Sequence, residues 1–139
     1  MSQQQALLLP VFLHVLMTMG LGVATALARR RAVLQGKVRL KDVALEKSAW
    51  PDEVKKLGNN FDNQFQMPML WYAGVAFTLV LNAADGLLVG LSWAFLVLRV
   101  GHSCVHVGRN IVIRRFFIFF AAALVLMLYW LWLAYKVFV

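Results

Sequence analysis

Acidic residues are few in this chain: six Asp and Glu stand against fourteen Lys and Arg in 139 residues. Cysteine occurs once, at Cys104, so no internal disulfide can form and no cysteine framework exists for a metal. The role to expect of that thiol is the bland one of a small apolar side chain. Internal repeats and low-complexity tracts are lacking as well. Hydrophobicity takes the place of charge: 62% of the residues are apolar, far outside the composition of a soluble domain. In such a chain the basic excess points to orientation in a bilayer rather than to nucleic acid.

A membrane-spanning helix needs about 20 mainly apolar residues. Four windows meet that requirement, at residues 6–28, 61–82, 87–106 and 116–138. The expectation is an all-α integral membrane protein, a single domain over residues 1–139 built as a four-transmembrane-helix bundle. The first window is longer than a signal-peptide core and is closed by Arg29, Arg30 and Arg31, so it reads as a retained helix. Gly20 and Gly22 would let another helix approach it closely, and His14 within it is expected to be a packed or interface histidine. Residues 29–58 hold nine basic and four acidic side chains and read as a solvated loop with some helical content. The other basic cluster, Arg109, Arg114 and Arg115, falls between the third and fourth windows. In a four-span chain those two loops share a side, and the positive-inside rule puts them in the cytoplasm and both termini outside.

The second window opens on NNFDNQFQMPMLWY, residues 59–72. Asn59, Asn63 and Gln66 recur at i, i+4 and i+7, so one helix would carry them as a single polar stripe with Asp62 beside it. Amides entering a bilayer are costly against lipid and therefore face protein or water. In the third window Arg99, His102, His106 and Arg109 follow spacings of three, four and three, which also places them on one face. Arg99 lies about 18 Å along that helix, near the membrane midplane, where a charge costs roughly 2.5–3.5 kcal/mol. Because the second and third spans are antiparallel, the two polar stripes meet at the cytoplasmic side. They would form a hydrated, positively charged cleft. Two histidines beside several arginines make a poor metal site, so no metal is expected, whereas arginines in a low-dielectric cleft suit an anion. Read without a ligand, the same residues would serve only to join helices.

Three segments, NNFDNQFQMPMLWY, RVGHSCVH (residues 99–106) and RNIVIRRFFIFF (residues 109–120), together with the hydropathy profile, resemble the membrane-associated proteins in eicosanoid and glutathione metabolism in their bacterial branch. The resemblance covers nearly the whole chain. It implies a homotrimer in the bacterial inner membrane, with glutathione as co-substrate held between subunits near the cytoplasmic side. Asn63 matches the family's glutathione-binding Asn, while Gln66 stands where the family has an acid and could hydrogen-bond the peptide without an ionic pair. His102 and His106 replace family tyrosines, and Asn59 replaces an arginine. Arg114 or Arg115 matches the arginine that activates the thiol, and the pattern leaves both open. The implied activity is a glutathione-dependent transferase or peroxidase acting on hydrophobic, membrane-dissolved electrophiles. Asn59, Asn63, Gln66, Arg99, His102, His106 and Arg109 would then bind the tripeptide. The alternative is a non-catalytic membrane protein whose basic cleft binds anionic lipid or only holds the oligomer together.

Overall fold

The computed structural model describes residues 1–44, 46–108 and 110–139. Its α-helices are α1 (Gln3–Leu34), α2 (Leu40–Val43), α3 (Asp52–Asp62), α4 (Met67–Val80), α5 (Gly86–Val107) and α6 (Val112–Phe138), with no strand among the described residues. Three of them, α1, α5 and α6, are long and apolar enough to cross a membrane. With 14 residues, α4 is about 21 Å long, shorter than a hydrocarbon core of roughly 30 Å.

Local chemistry sets the helix ends. Ser2 accepts from the Gln5 amide while the Gln5 side chain accepts from the Ser2 amide, which closes the start of α1 in a capping box. At the other end, Gly36 takes φ +68°, its amide bonds the Val33 carbonyl, and Lys37 bonds Ala32. This is a Schellman stop, and it lies past the arginine cluster. The helix therefore runs six residues beyond the expected end at Ala28, and Arg29–Arg31 ride on it rather than in a loop. The helical content expected within residues 29–58 is found in α3, which begins at Asp52.

The continuous helix expected over residues 61–82 is broken. Its first residues finish α3, a 3₁₀ turn occupies Asn63–Phe65, and α4 starts at Met67. Pro68 accounts for the break, because it has no N–H to give the Gln64 carbonyl and its ring crowds the preceding turn. Gln66, at φ −101° and ψ −108°, takes up the change of direction.

Cross-helix contacts fix the directions. At the start of α5, Asp85 caps the Leu88 amide and accepts from Trp132 and Lys136 near the end of α6, so these two helices are antiparallel. Trp71 donates to Ser92 at 3.0 Å, and Tyr129 meets Thr78 at 2.8 Å, which ties α4 to α5 and α6. At Gly74 an added Cβ would lie 3.0 Å from the Tyr129 ring, so α4 and α6 touch there only because no side chain intervenes. Gly22 on α1 packs in the same manner on Phe61, while Gly20 meets nothing within 4 Å. The apolar core gathers Leu7, Trp71, Phe95, Leu126, Tyr129 and Leu133 from four helices.

Candidate functional site

The polar interior begins with one face of α5. Arg99, His102 and His106 are all buried, with Arg99 only 1% exposed. Arg99 Nη2 donates to the Asn63 carbonyl at 2.9 Å and to Gln64 Oε1 at 3.1 Å. Its Nε has no partner, and no carboxylate pairs with it among the described residues. The rings of His102 and His106 lie 5.8 Å apart, each with an unpartnered buried Nδ1.

The amides facing this charge are not the expected stripe. Asn59 and Gln66 are exposed and Asn63 is half-buried, whereas Asn60 and Gln64 are fully buried. Gln64 is the hub. Its Oε1 already accepts from Arg99, so at 3.1 Å His14 Nε2 must be the donor to it. His14 Nδ1 is then an acceptor, and the Tyr72 hydroxyl donates to it at 2.6 Å. The Gln64 amide nitrogen donates to Asn60 and to Ser103 Oγ. A hydrogen-bonded chain Tyr72–His14–Gln64–Arg99 thus crosses from α4 through α1 to α5, and His14 is the packed histidine expected. Sequence reasoning missed Asn60, Gln64 and Tyr72. The available signal was that Asn60 and Gln64 share a face at i, i+4 as well as Asn59 and Asn63 do, with Pro68 marking where the phase is lost.

Two adjoining cavities lie where α3, α5 and α6 meet. A polar groove of about 360 Å³ is bordered by Lys55, Lys56, Asn59, His106, Asn110 and Arg115. Beside it a slot of about 250 Å³ is bordered by Asn63, His102, Arg115 and the apolar Val112, Phe116 and Phe119. Arg115 belongs to both. Asn110, at φ +50°, turns the chain into α6 and accepts from Arg115 Nη1 at 2.9 Å, which holds the guanidinium inward. Arg114, one residue earlier, is exposed and borders neither cavity. The groove's acid, Asp52, is bonded by Lys55 at 2.7 Å, and that hydrogen bond and charge hold its carboxyl below the ordinary carboxylate range.

The structure therefore brings Asn59, His106 and Arg115 to the groove and Asn63, His102 and Arg115 to the slot, with Arg99 bonded to the Asn63 carbonyl. It leaves Gln66 and Arg114 on the outer surface of the single chain, and Arg109 lies outside the described residues. Such a space offers cations and amide groups to a ligand with more than one carboxylate at its polar end. At its other end it offers aromatic walls to an apolar group. Over residues 7–135 the chain matches the sequence pattern of a family described as the MAPEG family. Among curated proteins and solved structures nothing matches.

Proposed function

The chain belongs to the MAPEG family, the membrane-associated proteins in eicosanoid and glutathione metabolism, and from that premise we propose that it conjugates or reduces hydrophobic electrophiles with glutathione in the space around Arg115. The observation that carries this reading is the position of Arg115, shared between the polar groove and the aromatic slot. A thiol lying there has a cation beside it and an apolar reaction partner within reach. The free thiol pKa of about 8.5 would be drawn toward neutrality, which raises the thiolate fraction at pH 7 roughly tenfold.

The residues fit the tripeptide in outline. Lys56 suits a carboxylate, His106 and Asn110 suit its amides, and the Asn59 side-chain oxygen suits its ammonium, while Lys55 and Asp52 are paired with each other and Arg115 is kept for the thiol. His102 and Asn63 line the neighbouring slot, and Arg99 holds the Asn63 backbone through its carbonyl. In this reading Arg99 shapes the site from behind, and Arg114 and Gln66 are left for contacts beyond one chain. The assembly is a homotrimer in the bacterial inner membrane, which gives those exposed groups a neighbour. With the turn before it, α4 supplies the fourth crossing of a single membrane domain, and both basic stretches face the cytoplasm.

The test is conjugation of glutathione to a generic aromatic halide by the purified protein, comparing Arg115→Gln with Arg114→Gln. Loss of about tenfold or more in the first, with the second near wild type, is the expected result. Equal rates in all three proteins reject the assignment. Stabilisation of the wild type by anionic lipid through Arg115, with none by glutathione, would transfer the groove to the non-catalytic reading.

A further inference from the structure

A further cavity, of about 230 Å³, adjoins α3 and the end of α1; it shares Lys55 and Asn59 with the groove but reaches neither His106 nor Arg115. It is bordered by Arg29, Lys47, Ser48, Trp50, Asn59 and Asp62. Its charged groups are not equivalent. Lys47 bonds Asp62 at 2.9 Å, which neutralises the acid, and Lys55 on the rim is engaged with Asp52. Arg29 has no carboxylate partner among the described residues. Its guanidinium sits 5.6 Å over the Trp50 ring on one side. On the other, an added Cβ at Gly58 would come within 3.3 Å of its Nη2, so the missing side chain at Gly58 makes the space it occupies. Arg29 Nε is buried without a hydrogen-bond acceptor. A fixed guanidinium with an unsatisfied donor is an incomplete interaction, because a buried unpaired charged donor costs more than it would in water.

We propose that this cavity binds a phosphate group, with Arg29 as its principal ligand and Lys47 and Ser48 as further donors. A planar guanidinium with several N–H groups suits phosphate oxygens, and the net charge of the named lining is positive once Lys47 and Asp62 cancel. The position favours a membrane source. Arg29 ends the apolar run of α1, and the Trp50 ring beneath it is of the kind that anchors at headgroups. An acidic phospholipid headgroup would enter there from the leaflet, and a free phosphate-bearing solute would enter from water. Occupancy would fasten the stretch around Lys47–Trp50 to the end of α1 and to α3.

The test uses the full-length protein in a neutral detergent and reads its thermal midpoint. Phosphatidylglycerol should raise the midpoint of the wild type, on the order of 5 °C at saturation, with phosphatidylcholine giving little change. Arg29→Gln should abolish that rise while keeping any rise due to glutathione, since Arg29 does not border the groove. A rise with millimolar inorganic phosphate that also depends on Arg29 would assign the site to a soluble phosphorylated ligand rather than to lipid. If Arg29→Gln cannot be purified folded, Gly58→Ala gives the same reading by displacing the guanidinium. Either of two results overturns the proposal: a variant that responds as the wild type does, or a wild type that responds to neither phosphate source.

Discussion

Gln64 is the residue whose loss should hurt the protein most, for a reason that can be worked out bond by bond. Replacing it with leucine keeps the approximate volume but removes the acceptor of Arg99 Nη2 and His14 Nε2 and the donor to Asn60 and Ser103. A hydrogen bond to a charged group contributes about 1.5–3 kcal/mol. Arg99 keeps the Asn63 carbonyl, so the lower part of that range applies. Neutral bonds between membrane helices average roughly 0.6 kcal/mol each. The expected cost is therefore on the order of 3 kcal/mol, which for a chain of this size lowers the thermal midpoint by about 10 °C. Arg99→Leu should also destabilise, by stranding Gln64 and the Asn63 carbonyl. The double variant should be milder than the sum by about 1–2 kcal/mol, because the uncompensated charge is gone. Thermal unfolding of the four proteins in detergent gives the cycle. A Gln64→Leu midpoint within about 2 °C of wild type, or strictly additive effects, would refute the hub.

Three further outcomes follow from the same geometry. Gly74→Ala puts a Cβ 3.0 Å from Tyr129 and should cost about 1–3 kcal/mol in thermal unfolding, whereas Gly20→Ala, with open space around it, should be neutral. At Asp85, burial pushes the carboxyl up, but the Leu88 amide, Lys136 and Trp132 outweigh it and leave it below its ordinary 3.8. A depressed folded value means the contribution is present above about pH 4 and is lost as pH falls through the folded value, so Asp85→Asn should flatten the fall in midpoint measured from pH 6 down to pH 3. In the conjugation reaction, Arg115→Gln should move the rising limb of the rate–pH profile upward toward the free thiol value of about 8.5; an unmoved limb would remove Arg115 from thiol activation.

The sequence was most informative where one helix stayed regular. Arg99, His102 and His106 on a single face of α5 could be read from their spacing, and the structure buries all three together. Across residues 59–66 the same logic failed, because two amide pairs share the helical spacing and because the helix does not continue to Gln66. The i, i+4 spacing fitted Asn60 and Gln64 as well as Asn59 and Asn63, and only packing of α3 decides that the first pair is buried; the 3₁₀ turn and Pro68 then take Gln66 out of the stripe. The run of α1 beyond Ala28 was hidden for another reason. A helix of 32 residues is about 48 Å long, more than a bilayer core requires, and hydropathy reports where the apolar stretch stops rather than where the Schellman turn does. His14 as a hub partner depends on Tyr72 and Gln64, more than 40 residues away in sequence, and no local pattern encodes that distance. Between Arg114 and Arg115 the spacing was neutral, and the Asn110 turn decides which of them points inward.

The central claim is that Arg115 lowers the pKa of a bound thiol. It is tested most directly by titrating reduced glutathione onto the purified protein at pH 7 and following the ultraviolet absorbance of the thiolate. The wild type and Arg114→Gln should develop the thiolate band as glutathione binds, and Arg115→Gln should not. A band of equal strength in Arg115→Gln, or none in the wild type, would contradict the account.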